Sequence, residues 1–312
     1  MDTSAAPSAA SSSAAVAAAS SSSPSPAADA EAFSSRAPPW LLPRALLLEQ
    51  SPSRADGMTQ AMEHTIRRST CGMMGEVGLR LLDKKASVAT ALVLFQRFFS
   101  RCSLLRHDRM AVAMASLVVA AKATDFANPA RASLRHFVPD FLARTGHTAP
   151  TPERGEVFQR AREVLVRAER LLLATLEFDL EVDLPFRHLQ RACREMGVPE
   201  GAPLSQGAVR SANEALRSTL CVQYAARALA LGCLAYARDQ LQARGLFAKP
   251  ARWDEVVEAG GGALGADELR ALREALVDVP RQIDEGLAAA RASLADAVGG
   301  GAAASAPAAT AS

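Results

Sequence analysis

The stretch Ala89-Thr-Ala-Leu-Val-Leu-Phe-Gln-Arg-Phe-Phe99 decides the fold, together with the apolar run that follows Arg106-His107 and ends at Ala120-Ala121-Lys122. The pattern predicts a helix over Val88–Phe99, a basic turn, and a second helix over Met110–Lys122 that is apolar on nearly every face. A helix without a polar face lies at the centre of its domain, surrounded by other helices. The lysine in its last turn must meet an acidic partner or reach water.

The composition is that of a globular, helix-rich protein. Of the 312 residues, 49% are hydrophobic, 22% are charged and only 5% are aromatic. Abundant alanine and scarce aromatic side chains favour closely packed helices over sheets. The net charge of +2 produces no overall field that would favour binding to nucleic acid or to a membrane surface.

Several classes of protein are disfavoured by what the sequence lacks. No apolar run approaches the ~20 residues that span a bilayer, and the N-terminal segment fits neither a signal nor a transit peptide. No phosphate-binding loop and no His-Glu-x-x-His motif occurs, so we expect no cofactor, no metal and no enzyme activity. The cysteines show no Cys-x-x-Cys spacing, which predicts reduced thiols in a cytosolic or nuclear protein. They are Cys71, Cys102, Cys193, Cys221 and Cys233.

Helical periodicity divides the chain into two successive sets of helices. We predict disordered tails over 1–38 and 291–312, a lead-in segment over 39–56, a first unit over 57–182 and a second over 183–290. In the first unit the remaining predicted helices are Met62–Leu82, a weaker one over about 131–143, and Val157–Leu176. In the second unit they are Phe186–Met196, Gly207–Leu220, Arg227–Leu241, one that begins at Trp253, and one from Ala266 to about Leu276.

The two units look like copies of one five-helix arrangement. Val112–Lys122 can be placed over Ala228–Arg238, which pairs Ala121 with Ala237 and sets a basic residue at the same helix end. Sequence identity between the units is low, so the repeat rests mainly on the order and spacing of the helices. The predicted fold class is therefore all-α, with two tandem five-helix units.

Lys122 and Glu169 are the best candidates for a functional site. Each lies in a predicted helix with apolar residues one turn away, Val118 and Val119 beside the lysine and leucines beside the glutamate. Opposite charges set in apolar surfaces are costly unless they meet each other or a partner protein. An ordinary solvated ion pair is the alternative, and it would be worth only ~0–1 kcal/mol.

Two other groups of residues carry weaker signals. Phe95, Phe98 and Phe99 share a helix with leucines, which is typical of a hydrophobic core and not of a platform that stacks bases. Arginines in and near the first unit could form a basic patch, but a solvated surface is the usual outcome, and direct nucleic-acid binding is not expected. These arginines are Arg67, Arg68, Arg101, Arg106 and Arg109.

Four segments resemble the cyclin family, most closely its cyclin L group, over about residues 49–276. Gln50-Ser-Pro-Ser-Arg-Ala-Asp-Gly57 resembles the entry segment of plant-type cyclin L proteins, and Val88–Phe99 resembles the second helix of that group. Arg167–Phe178 is similar to the fifth helix. In the second unit, Pro250-Ala-Arg-Trp253 falls where the family pattern expects it.

The resemblance implies two cyclin boxes of five helices each, without catalytic activity, in a regulatory subunit of a cyclin-dependent kinase. It implies that Lys122 and Glu169 bond to the kinase backbone around a mobile regulatory helix. That helix would enter an apolar groove formed by Val119, Ala123, Leu173, Phe178 and Leu180. The implied kinase is of the type associated with cyclins L, K or T, in the nucleus, and acts in RNA polymerase II transcription and pre-mRNA splicing. Splicing or polymerase factors are further implied partners.

A departure from the family pattern leaves alternatives open. After the lysine most relatives carry two acids, whereas Ala123-Thr124-Asp125 retains one. A degenerate cyclin fold that serves as a scaffold is therefore one alternative. Another is a general transcription factor similar to TFIIB, which uses two cyclin folds to bind DNA but usually brings a zinc ribbon with paired Cys-x-x-Cys motifs.

Overall fold

Helices joined by turns make up the part of the chain that the computed structural model describes, which comprises residues 40–82, 84–124, 133–147, 152–260 and 265–303. Side chains are described for these residues except for Leu48 and residues 293–303. The predicted N-terminal tail over 1–38 lies outside them. Within the described ranges no strand forms, and no helix has the length and hydropathy that crossing a bilayer requires.

The first unit follows two short helices of the lead-in segment. The hydroxyls of Ser51 and Thr59 accept hydrogen bonds from the backbone N–H groups of Arg54 and Met62, and so cap the second and third helices of the chain. The lead-in helices are α1 (Arg44–Glu49) and α2 (Pro52–Ala55). The helices of the first unit are α3 (Gln60–Leu81), α4 (Lys85–Arg101), α5 (Arg109–Thr124), α6 (Val138–Arg144) and α7 (Glu156–Thr175).

Helix α6 is shorter than the segment predicted over about 131–143. A 3₁₀ turn over Leu134–His136 precedes it, and Pro139 lies in its first turn. Proline has no N–H group and suits the first turn of a helix but not its interior. The proline therefore sets the start of α6, while residues 131 and 132 lie outside the described part of the chain.

Helix α5 lies at the centre of the first unit, as its apolar pattern predicts. Every residue from Ala111 to Ala121 is buried, and the helix packs against α3, α4, α6 and α7. On α4, the ring of Phe99 meets those of Phe95 and Phe98 edge-on, with centroids 4.8 Å and 4.9 Å away. All three rings are fully buried, so they belong to the core.

The second unit repeats this arrangement around another buried helix. Its helices are α8 (Pro185–Glu195), α9 (Pro203–Leu216), α10 (Ala226–Gln242), a π-helical turn (Asp254–Glu258) and α11 (Ala266–Ala303). Helix α10 packs against α8, α9 and α11, and every residue from Ala228 to Ala237 is buried. Because α5 and α10 are the central helices of their units, the prediction of two tandem boxes is confirmed.

Three helix boundaries of the second unit differ from the prediction. Helix α9 begins at Pro203 and ends at Leu216, and a separate 3₁₀ turn over Thr219–Val222 follows it. The helix expected from Trp253 is a single π-helical turn, which ends before Gly260 with a φ of +81°. Helix α11 extends far beyond Leu276 and past residue 291, where we predicted the tail to begin, since the alanine-rich sequence there favours helix.

The five cysteines, all within the described residues, are free thiols. Burial raises the pKa of both Cys71 and Cys221 to about 12, so these two thiols stay protonated at neutral pH. A protonated, buried thiol is a poor nucleophile and a poor metal ligand. Cys71 and Cys221 therefore contribute to packing, in agreement with the expectation of reduced thiols.

Candidate partner-binding surface

The two charged residues singled out in the sequence meet in the structure. Lys122 in the last turn of α5 places its Nζ 2.5 Å from Oε1 of Glu169 on α7. The lysine side chain is 50% exposed, whereas that of the glutamate is only 14% exposed. An ion pair with one half-exposed partner adds about 0–1 kcal/mol to stability. The ammonium group of Lys122 is therefore accessible to a partner, whereas the chain covers most of the Glu169 side chain.

The residues of the predicted groove differ in how deeply they are buried. Leu173 follows Glu169 by one helical turn on the same face of α7 and is partly buried. Ala123 is also partly buried, at the end of α5. Val119 is only 2% exposed, so it can serve as the floor of a groove but offers almost no surface of its own.

The turn after α7 carries the last two residues of the predicted groove. Leu180 is partly buried, but Phe178 is 71% exposed, which is unusual for a phenylalanine. Glu177 and Phe178 adopt left-handed backbone conformations, with φ of +54° and +61°. Each such non-glycine residue costs about 1–2 kcal/mol. Contacts of the neighbouring residues must offset that cost. The result is a turn that exposes an aromatic ring to solvent.

Sequence reasoning missed the residues that fix this turn. Trp40 from the lead-in segment hydrogen-bonds to Asp179, and Arg101 on α4 pairs with Glu177. Arg97, also on α4, donates a hydrogen bond to the backbone carbonyl of Asp179. Trp40 was visible only as an isolated tryptophan before the first helix. Nothing local in the sequence connects it to a turn so far along the chain.

Thr124, where the resemblance implies an acid, is engaged within the chain. Its hydroxyl donates to the carbonyl oxygen of Ala120 at 2.7 Å and lies 2.6 Å from the hydroxyl of Ser87 at the start of α4. A carboxylate in this position would face the carbonyl oxygen and repel it. The threonine therefore links the end of α5 to α4 through a hydrogen bond. Asp125 lies outside the described residues.

The five arginines considered as a possible basic patch mostly pair with carboxylates, in agreement with the expectation that they do not form a nucleic-acid surface. Arg67 is buried with only 2% of its surface exposed, so it cannot contribute to a surface charge. Paired guanidinium groups carry little net positive field for a phosphate backbone. The observed ion pairs are Arg67–Glu63, Arg68–Glu214, Arg101–Glu177 and Arg106–Asp56.

Comparison with known proteins identifies the class to which this fold and site belong. Residues 45–181 match the family described as Cyclin, N-terminal domain. The putative cyclin-T1-1 of Arabidopsis thaliana is 33% identical over 186 residues, which are 59% of this chain and 72% of that protein. Cyclin-L1-1 of Oryza sativa subsp. japonica is 32% identical over 220 residues, or 68% of this chain and 50% of that protein. The chain belongs to the cyclin family, among the transcription cyclins of the T and L types.

A solved structure shares the fold at low sequence identity. A chain of the yeast RNA Pol II CTD kinase CTDK-1 complex superposes with a TM-score of 0.57 at 12% identity, covering 74% of this chain and 71% of that chain. Likeness at this identity concerns the arrangement of helices alone. Among curated relatives, the chain spans 31% to 44% of the length of five further plant cyclins of the T1 type.

Proposed function

We propose that this chain is a nuclear regulatory subunit that binds and activates a cyclin-dependent kinase in RNA polymerase II transcription and pre-mRNA splicing. The observation that carries the proposal is the Lys122–Glu169 pair, with Leu173 one turn further along α7. Membership of the cyclin family and likeness to T- and L-type cyclins support the class of kinase. The L type is our first choice, with a K- or T-type cyclin as the alternative. On this proposal, catalysis resides in the kinase.

Docking would act on the kinase by shifting a conformational equilibrium. A mobile kinase helix packs its apolar face against Leu173 and Phe178, while Lys122 and Glu169 bond to backbone groups beside it and set its register. The kinase gains activity only as far as the cyclin binds its active state more tightly. A shift from 1:99 to 99:1 requires about 5.5 kcal/mol of differential affinity. A groove together with a charge pair can supply this amount, whereas one surface contact cannot.

The first test is co-purification from nuclear extract. Tagged wild-type protein is compared with the Lys122→Ala/Glu169→Ala variant by mass spectrometry and by a kinase assay on the eluate. We expect wild type to recover an active cyclin-dependent kinase. The amount of kinase recovered with the variant should be at least tenfold lower. A matched control is Glu156→Ala/Arg160→Ala, which removes another ion pair of α7 whose side chains are 76% and 73% exposed. This control should recover as much kinase as wild type.

A second pair of variants tests the groove. Leu173→Asp places an unpaired charge on the proposed docking face and should abolish kinase recovery, since burying that charge is costly. Leu171→Asp is the control, because this residue is 38% exposed and lies on another face of α7. Circular dichroism confirms that each variant keeps its helical content. If every variant recovered the same amount of kinase, the docking surface would have to lie elsewhere on the protein.

Two outcomes would favour the other functions open to a cyclin fold. Recovery of DNA with a steep dependence on salt would indicate a factor similar to TFIIB. Recovery of other nuclear proteins without any kinase, from a folded wild-type chain, would indicate a scaffold. The pairing of Arg67, Arg68, Arg101 and Arg106 with carboxylates speaks against the first of these functions.

A further inference from the structure

The turn that carries Phe178 is held by a residue that lies far away in the sequence. The indole N–H of Trp40 donates a hydrogen bond to Oδ2 of Asp179 at 2.6 Å, across 139 positions of the chain. Trp40 is only 5% exposed although it precedes the first helix. Two residues further on, the backbone N–H of Leu42 donates to the carbonyl oxygen of Val222 at 2.8 Å. The segment around Trp40 is thus tied to the end of the first box and to the second box.

Two arginines of α4 complete the contacts around this turn. The guanidinium of Arg101 lies 4.0 Å from the ring centroid of Trp40 and that of Arg97 lies 5.2 Å away. Arg101 also donates from Nη1 to Oε1 of Glu177 at 2.7 Å and to the carbonyl oxygen of Thr175 at 3.1 Å. A cation above a tryptophan ring is attracted to its π face, so each arginine joins the ring to the turn.

The exposed side chain of Phe178 contributes little to holding the conformation of its turn. It is 71% exposed, so packing against its own chain contributes little, and its φ of +61° is unfavourable for a residue with a side chain. The side chains of the residues on either side are held by hydrogen bonds, that of Glu177 by Arg101 and that of Asp179 by Trp40. These contacts, together with the backbone hydrogen bond from the N–H of Phe178 to the carbonyl oxygen of Leu173, hold the turn that carries the ring.

We infer that Trp40 is a positioning residue for kinase docking, which holds the turn Glu177–Leu180 so that Phe178 is presented to the kinase. This inference rests on the proposed function. It assigns a role in partner binding to the lead-in segment, which lies before the first box. The effect of Trp40 on the partner is transmitted through Asp179 and Phe178, without contact between Trp40 and the kinase.

The first measurement concerns the free protein and does not depend on any kinase. Trp40→Phe keeps an aromatic ring beneath the arginines but removes the N–H donor to Asp179. The amides of Phe178 and Asp179, which donate to the carbonyls of Leu173 and Leu176, should then exchange with deuterium about tenfold faster. The control is Trp253→Phe, which changes the other tryptophan of the chain in the core of the second box. It should leave exchange in this turn unchanged.

The second measurement is affinity for a purified cyclin-dependent kinase of the type associated with cyclin L. Trp40→Phe should weaken binding by up to about tenfold, because the docking conformation of the turn loses one hydrogen bond to a charged group. Trp253→Phe should leave affinity within about twofold, even where it lowers the melting temperature more, because Trp253 belongs to the core of the second box and Trp40 to that of the first. If affinity followed the stability of the fold alone, Trp253→Phe would lose more affinity than Trp40→Phe.

A double-mutant cycle separates positioning from a merely structural role. If Trp40 acts through Phe178, the Trp40→Phe change should have no further effect on affinity in a Phe178→Ala background. Additive losses in the double variant would overturn the inference. So would unchanged exchange and unchanged affinity in Trp40→Phe. A third outcome is faster exchange in the turn of Trp40→Phe, combined with a wild-type chain that binds neither this kinase nor any kinase in nuclear extract. It would refute the proposed function, and with it the role of Trp40 in docking, but would still establish that Trp40 holds the turn.

Discussion

At the scale of single residues, burial decides what a charge contributes. Arg67 donates to Oε1 of Glu63 from Nε at 3.0 Å and from Nη2 at 2.7 Å, and both residues are buried. Its remaining N–H groups reach Oε1 of Gln96 at 2.9 Å and the carbonyl oxygen of Phe99 at 2.7 Å. Ser51 donates to the second oxygen of the glutamate. The network joins the lead-in segment, α3 and α4, and satisfies a charge pair that would otherwise be costly to bury.

Loss of the cation from a lysine– or arginine–glutamate pair should therefore lower stability by very different amounts at the two sites. Arg67→Ala leaves Glu63 as an uncompensated buried charge and should lower the free energy of unfolding by about 3–5 kcal/mol. Lys122→Ala removes a half-exposed partner of Glu169 and should cost only about 0–1 kcal/mol. Urea denaturation followed by circular dichroism measures both values. Similar losses for the two variants would show that the Lys122 pair is structural, contrary to the proposed role in docking.

At the scale of helices, local patterns predict those elements whose burial is periodic along the chain. Helices α3, α4, α5 and α7 lie where their apolar residues predict them, within a few residues at each end. Lys122 and Glu169 could be found because a charge beside apolar residues is itself a local signal. Trp40 could not, because its partner Asp179 is distant in sequence and only packing brings the two together. The start of α6 depends on a proline, and the C-terminal end of α11 depends on helix propensity. The periodicity of apolar residues alone shows neither.

The crossing of α10 and α11 depends on one glycine. A Cβ atom at Gly232 would lie 2.8 Å from the carbonyl oxygen of Ala275 and 2.8 Å from Cβ of Val279. Both neighbours belong to α11, and one of them is backbone, so the helices would have to separate. Small-to-large changes in a packed core cost about 1–3 kcal/mol. The glycine is therefore required for close packing within the second box.

Two glycine-to-alanine substitutions should consequently change stability in opposite directions. Gly232→Ala should lower the free energy of unfolding by about 1–3 kcal/mol, because α10 and α11 are forced apart. Gly75→Ala should raise it by up to about 1 kcal/mol, because a Cβ there meets nothing within 4 Å and alanine is the better helix former. Urea denaturation of each variant provides the measurement. Stabilisation by Gly232→Ala would mean that the two helices cross at a larger distance.

At the scale of the whole molecule, the two boxes differ at the helix end where the candidate site lies. Arg238 on α10 corresponds to Lys122 on α5, but its guanidinium lies 5.7 Å from the ring centroid of Trp253 and pairs with Asp239. Trp253 is 1% exposed and packs edge-on against Phe247. The side chain of Arg238 is 30% exposed, against 50% for that of Lys122. The repeat thus conserves the arrangement of helices, whereas the basic residue is less accessible in the second box.

Asp278 links the lead-in segment to the second box. Its carboxylate accepts hydrogen bonds from Arg44 on α1 at 3.0 Å, from the hydroxyl of Tyr224 at 2.9 Å and from Gln282 at 2.6 Å, and it also pairs with Arg281. Burial by itself would raise the pKa of Asp278. The hydrogen bonds from Arg281, Tyr224 and Gln282 and the charge of Arg44 outweigh it, so the pKa lies below its ordinary value of 3.8.

A carboxyl group whose pKa is lower in the folded than in the unfolded chain stabilises the fold above the unfolded value, and this contribution is lost as the pH falls through the folded value. Asp278→Asn should therefore cost about 1–3 kcal/mol at pH 7, and the difference from wild type should shrink as the pH falls below about 4. Urea denaturation between pH 7 and pH 3 measures both. The control is Asp267→Asn, on the same helix with a side chain that is 90% exposed, which should change stability little at any pH. A loss in Asp278→Asn that is independent of pH would mean that the hydrogen bonds accepted by Asp278, which an amide cannot all accept, and not its charge, connect the lead-in segment to the second box.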